Sequence, residues 1–233
     1  MEQYLPLSYC AGLVRQHDHD RYLCALFAPA QVREAWFALF AFNHEIAIIA
    51  EIVSEEMIGF IRFAWWREAL DEIYGNQKLR KHPVVEALAQ TIHAHHLPRA
   101  LLDMMLAARA NDLEQEPFND FAELENYCRD TSATLLQLCA IAAEKPVTPA
   151  LEHLGVAWAL IGIARTGSTI AAKEELLAAA EEHLHFVREE GVTSLHIFKS
   201  FYYAAQFYLK RLRSGKQSSR LRLTFLLWLK SLF

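Results

Sequence analysis

Residues 29–53 read PAQVREAWFALFAFNHEIAIIAEIV, and apolar side chains cover most of the circumference of the helix they would form. A helix that is apolar all round is stable only when other helices surround it, so this one is predicted to lie at the centre of a bundle. Pro29 stands at its start, where a missing N–H costs nothing, and the helix is predicted to run through Val53. Ser54 then has the character of an N-cap. Glu55 and Glu56 follow in a first turn, where the positive end of the helix dipole favours carboxylates. The helix they begin carries Ile58, Ile61, Trp65, Ala69 and Ile73 on one stripe, the spacing of a helix packed by one face, and is predicted to end with Gly75 as its C′ residue.

The rest of the chain reads the same way. Pro83 and Pro98 occupy first helical positions, opening HPVVEALAQTIHAHH and LPRALLDMMLAARANDLEQE. Asp120 and Glu123 have capping-box spacing ahead of FAELENYCRDTSATLLQLCAIAAE. Thr148 and Pro149 start a helix that continues to Arg165 and stops at Gly167, and two more are predicted over Ala171–Glu190 and Ser194–Arg213. No period-2 run of useful length occurs, and 8 Gly and 7 Pro in 233 residues are too few to punctuate strands and turns. The predicted fold class is all-α, one domain.

Composition narrows the function classes. With 53% hydrophobic and 22% charged residues the chain is globular. A net charge of −5 gives no reason to expect nucleic acid. Cys10, Cys24, Cys128 and Cys139 are scattered with no CxxC pair, which reads as reduced core thiols. The first residues, MEQYLPLSYCAGLVRQHDHD, lack a basic segment followed by an apolar run, and no stretch of about 20 uncharged apolar residues follows, so the expected location is cytoplasmic. The end of the chain differs in charge. Residues 210–233 hold seven Lys or Arg and no acid, so residues 1–209 carry −12. This tail ends in LRLTFLLWLKSLF, and it is set apart here as a basic, apolar segment that either lies in an anionic membrane interface or docks on the bundle.

Five blocks occur in a telling order: DRYLCALFAPAQVREAWFALFAFNHEIA, VSEEMIGFIRFAWWREALDEIYG, HPVVEAL, ARANDLEQEPFNDFAELENYC and TSATLLQL. Over Asp20 to Ala143 they resemble the squalene/phytoene synthase family, in the branch related to a mitochondrial respiratory complex I assembly factor. The succession from WWRE to HPV is the most specific part. The resemblance implies a helical bundle of the isoprenoid synthase type with a central cavity. It also implies a chemistry, because enzymes of that family bind prenyl diphosphates through Mg²⁺ held by aspartates spaced along facing helices. Against the family pattern, the first aspartate pair falls on Ala47 and Ile48, and only Glu51 keeps a carboxylate. The second motif keeps Arg165, with Gly162 in place of an Asn and Thr166 in place of an Asp. The tyrosine-rich stretch keeps Tyr127 and loses its second tyrosine, and the segment after Gly167 is shorter than the family's.

The candidate ligand-facing residues are therefore Asn43, His44, Glu45 and Glu51 on the central helix; Trp66 and Arg67 on the next; Asn111 and Asp112; Tyr127; and Arg165. Each has a plainer reading beside it, as a satisfied polar face, a solvated helix end or core packing. No metal ligand is assigned. His93, His95 and His96 point different ways on a helix, and His17, Asp18, His19 and Asp20 lack helical spacing. The preferred function implied by the resemblance is a non-catalytic member without a cofactor that assists assembly of respiratory complex I, peripheral at the inner membrane, with complex I subunits or a lipid-like ligand as partner. The rivals are an active prenyl transferase holding Mg²⁺ through Glu45, Glu51 and Asp112, and an isoprenoid- or lipid-binding module.

Overall fold

A computed structural model describes residues 7–114, 118–166, 171–215 and 220–231, with side chains in the last segment at 222–228 only. Among the described residues all regular structure is helical. Helix α1 (Tyr9–His17) is capped by Ser8 and α2 (His19–Leu26) by Asp18, whose side chains accept the N–H of Ala11 and of Arg21. Helix α3 (Ala30–Ala47) follows Pro29, and every residue from Ala35 to Asn43 is buried, as a central helix requires.

That helix is shorter than predicted. It stops at Ala47; Ile48 forms a turn, and a single turn of helix, α4 (Ile49–Ile52), completes the run. The Ile48 carbonyl accepts both the Glu51 and the Ile52 N–H, at 3.0 and 3.1 Å, so the backbone tightens there. The break falls in a run with Ile46, Ile48 and Ile49, β-branched side chains that crowd the preceding turn of a helix.

Helix α5 (Glu56–Tyr74) corrects two expectations. Its N-cap is the extended Glu55 rather than Ser54, and the face it buries is Gly59, Phe63, Trp66, Ala69, Leu70 and Ile73, which keeps Ala69 and Ile73 of the predicted stripe. Ile58 and Ile61 stand in solvent at 41% and 61% exposure. On the buried face, a Cβ at Gly59 would lie 2.3 Å from Leu113 Cδ2, so the missing side chain lets this face approach its neighbour. At the other end Gly75 caps the helix with φ −82°, and the left-handed residue is Asn76, φ 50°.

Helix α6 (Pro83–His95) begins on its proline, and His96, in the left-handed region at φ 51°, ends it. Pro98 is the N-cap of α7 (Arg99–Ala110), which tightens into a 3-10 turn over Asn111–Leu113. Asp120 caps α8 (Phe121–Cys128) by accepting the Glu123 N–H at 2.9 Å, while the Glu123 carboxylate takes the Asn119 N–H at 2.6 Å. The predicted helix then widens into a π turn over Arg129–Ala133 before α9 (Thr134–Ala142). Next come α10 (Pro149–Thr166), α11 (Lys173–Glu189), a 3-10 stretch over Val192–Phe198, α12 (Lys199–Arg213) and α13 (Arg220–Ser231). The predicted stop at Gly167 lies outside the described residues.

Between α3, α10 and α12 the interior is filled with rings. Trp36 stacks on Phe198 at 4.9 Å, and Phe201 meets Trp36, Phe40 and Trp158 within 6.2 Å. The buried Trp36 indole donates to the Cys139 carbonyl at 2.9 Å, satisfying its one polar group. All four cysteines are buried free thiols. Burial, with the Glu34 charge behind it, pushes Cys10 up to about 11, and burial pushes Cys128 up to about 12, so both stay protonated and inert. In α13, Leu223 and Leu227 are buried while Phe225 and Trp228 are exposed.

Candidate functional site

The candidate residues gather in three places set by different helices. The first lies where α3 and α4 meet α5. Glu45, with Ile48, Ile49, Ile52, Ile61, Arg62, Trp65, Trp66 and His82, lines a groove of about 320 Å³. Trp66 is both wall and core: it is 4% exposed and meets Phe42 at 5.2 Å and His82 at 5.7 Å, both edge-on. Arg80 lies over Trp65, its guanidinium carbon 4.6 Å from the ring centroid, and is held there by the Glu72 carboxylate and the Trp65 carbonyl. Asn43 is buried two residues before Glu45, and His44 stacks on His17 at 4.4 Å. Burial and the neighbouring His17 hold His44 below its ordinary value, which keeps it neutral at pH 7. Glu51 on α4 and Arg67 on α5 are exposed.

The second group joins α7 to α8. Tyr127 donates to Asp112 at 2.9 Å and receives Arg109 at 2.5 Å, while Arg109 also reaches Asp112 at 3.4 Å. Burial lifts the Asp112 carboxyl above its usual value despite the Arg109 charge, and burial lifts the Tyr127 hydroxyl, so the tyrosine stays a donor. Asn111 beside them is exposed. The π turn begins directly after α8, with the Thr131 hydroxyl donating to the Tyr127 carbonyl at 2.7 Å. Such turns are frequent at functional sites. Here it also serves packing, because a Cβ on Gly155 of α10 would lie 2.3 Å from Ala133 Cα.

The third group ties α10 to α2 and α12. Arg165 donates to Asp20 at 2.7 Å and lies 3.8 Å above the Tyr208 ring, and the Tyr208 hydroxyl donates to the other Asp20 oxygen at 2.6 Å. Next to it Arg21 pairs with Asp18 and approaches Ser132 of the π turn at 3.4 Å. Sequence reasoning missed Asp20 and Tyr208 as partners of Arg165, since 145 and 188 residues of chain separate Asp20 from them. The HDHD run has become a helix junction: Asp18 caps α2 and Asp20 closes this triad.

The arrangement does not fit a magnesium–diphosphate clamp. Mg²⁺ needs octahedral oxygen ligands, contributed in part by carboxylates. Ala47 ends α3 and Ile48 faces the groove; on the opposite motif Gly162 has no side chain, and the Thr166 hydroxyl donates to the Ile163 carbonyl at 2.8 Å. Arg165 is occupied by Asp20. Among the described residues no three His, Cys, Asp or Glu side chains are grouped to hold a metal ion.

Helix order and the positions of these groups define a bundle of the isoprenoid synthase class. A dehydrosqualene synthase solved with a ligand superposes with a TM-score of 0.75 at 18% identity, covering 96% of both chains. A squalene synthase from Alicyclobacillus acidocaldarius does so at 0.60 and 17%, covering 96% of this chain and 88% of that one. The sequence pattern of the squalene/phytoene synthase family matches residues 14–192, and the chain belongs to that family. Curated relatives include complex I assembly factor 6 of Bos taurus, 37% identical over 130 residues, and of Homo sapiens, 35% identical over 130, each match covering 56% of this chain and 39% of the relative. The Drosophila melanogaster homolog is 30% identical over 169 residues, covering 68% of this chain and 49% of its own. The chain thus spans less than half the length of the relatives it matches.

Proposed function

We propose that this chain is a non-catalytic member of its family that assists the assembly of respiratory complex I. One observation carries the reading. The acids of the prenyl-diphosphate chemistry are replaced, the first pair by Ala47 and Ile48 and the Asn and Asp of the second motif by Gly162 and Thr166, in a chain whose relatives at 35–37% identity are named as complex I assembly factors. Without several carboxylates facing a shared cavity, neither Mg²⁺ nor the charge of a departing pyrophosphate is stabilised.

The reading includes work at a membrane surface with complex I subunits as partners. No helix among the described residues is long and apolar enough to cross a membrane. What supports surface contact is the end of the chain: Lys210, Arg211 and Arg213 finish α12, and α13 exposes Phe225 and Trp228 beside Arg222. Cations next to exposed aromatic rings suit an anionic interface.

Two measurements test the proposal. The full chain incubated with farnesyl or geranylgeranyl diphosphate and Mg²⁺ should release no pyrophosphate above background; turnover near 1 s⁻¹ or faster, an ordinary enzymatic rate, overturns it. Deleting the gene in its host should deplete assembled complex I on native gels, and supplying the chain should restore it. Unchanged complex I in the deletion strain is equally fatal.

A further inference from the structure

An assembly role needs a surface that holds a partner, and one corner of the molecule has that character. Ile52, Met57, Ile58, Phe60 and Ile61, exposed by 38 to 67%, all lie within ten residues at the junction of α4 and α5. Single exposed apolar side chains are ordinary, but a contiguous patch marks an interaction site. Two of these residues, Ile52 and Ile61, line the groove of about 320 Å³ together with Ile48, Ile49, Trp65 and Trp66. The apolar positions on its α5 side, Ile61 and Trp65, stand one turn apart, and Ile58 continues the same spacing as an exposed residue beyond the lining, so the groove offers ridges and gaps at the spacing of a helix. His82 adds a buried Nδ1 with no hydrogen-bond partner at the groove wall.

Charge decides what kind of helix. Glu51, Glu55 and Glu56 are exposed around the corner, and Glu45 lines the groove, against one lining cation, Arg62. We propose that the α4–α5 groove receives the apolar face of an amphipathic helix from a partner protein, with Lys or Arg flanking that face to meet Glu51, Glu55 and Glu56. An anionic bilayer does not suit this corner, because its carboxylates repel lipid phosphates. The basic end of the chain, carried by α12 and α13, is the surface suited to lipid. The inference rests on the assembly reading for its biological partner, while the docking surface is defined by the groove itself.

The test uses the full chain and a synthetic amphipathic peptide with Leu and Phe at i, i+3, i+4 and i+7 and Lys on its flanks, labelled for fluorescence anisotropy. A second peptide carries Glu in place of every Lys. The Lys peptide should bind at least about tenfold more tightly than the Glu peptide. Ile58→Glu and Ile61→Glu should each weaken it about tenfold or more. Both sites are exposed, so the variants should keep the wild-type circular dichroism and Tm. Glu55→Lys/Glu56→Lys should shift the preference toward the Glu peptide, and Phe225→Ser, on α13, should change nothing.

Equal binding of the two peptides, or binding indifferent to Ile61→Glu, overturns the proposal. So does sedimentation velocity showing a dimer that Ile61→Glu dissociates, which assigns the corner to a second copy, or anionic-vesicle binding that Ile61→Glu abolishes, which assigns it to lipid. In the host, an Ile61→Glu chain that restores complex I fully removes the docking surface and leaves the assembly role intact. If the gene deletion leaves complex I untouched, the assembly role fails and the peptide measurements alone judge the groove.

Discussion

Side chains far apart in sequence carry several of the polar interactions that join helices of this bundle. The Asp20–Arg165–Tyr208 group joins three helices through one carboxylate. Tyr208→Phe removes one hydrogen bond and leaves the ion pair, so it should cost about 1 kcal/mol in urea unfolding. Asp20→Ala strips both partners at once and should cost more, about 2 kcal/mol; Arg165, with its side chain 37% exposed, regains part of its loss from water. A larger effect for Tyr208→Phe than for Asp20→Ala would contradict this division. Arg165 was legible as a surviving family residue, but its partners were not, because nothing local in the sequence pairs a residue at 20 with one at 165. His183 is a similar case. It bridges Glu125 on α8, at 2.9 Å, to His153 on α10, with the two Nδ1 atoms 2.8 Å apart. Only one of those nitrogens can donate. Burial, then the His183 charge, holds His153 below its ordinary 6.5 despite Glu125 and Glu152 nearby. The folded state therefore binds fewer protons than the unfolded one, so this stability is complete above about pH 6.5 and is lost as pH falls through the folded value. Tm should drop on acidification across that window, and His153→Gln should flatten the slope; an unchanged slope would exclude the pair as its source.

Helices and turns show a second layer. Two glycines set how closely elements approach, and they differ in what they touch. At Gly155 an added Cβ meets Ala133 backbone at 2.3 Å, and the π turn cannot yield without shifting its hydrogen bonds; at Gly59 it meets the far end of the Leu113 side chain. Gly155→Ala should thus cost about 2 to 3 kcal/mol and Gly59→Ala about 1 kcal/mol or less. Denaturation midpoints that rank the two the other way would show that Leu113 is the more rigid neighbour. Trp66 is a further element-scale anchor: at 4% exposed, against Phe42 and His82, its replacement by Ala should cost about 3 to 5 kcal/mol. The helix starts at Pro83 and Asp120 could be read directly because caps are local chemistry. The break at Ile48, the π turn and the rotation of α5 could not, since each answers to a neighbour packed from elsewhere.

For the whole molecule, patterning settled the class. An all-round apolar helix at 35–43, prolines at helix starts and the absence of any period-2 run allow only a bundle, because a helix apolar on every face must be surrounded. That Ala47, Ile48, Gly162 and Thr166 carry no acid was equally plain, since the identity of a residue is written in the chain whatever the fold does with it. Tertiary structure alone decided which surfaces are used: that Ile58 and Ile61 face solvent, that Leu223 and Leu227 turn inward while Phe225 and Trp228 turn out, and that Asp20 closes on Arg165. The physical reason is range. Turn chemistry and periodicity act over a few residues, whereas the rotation of a helix about its axis is fixed by the shape of whatever packs against it, and at Gly59 that neighbour is Leu113.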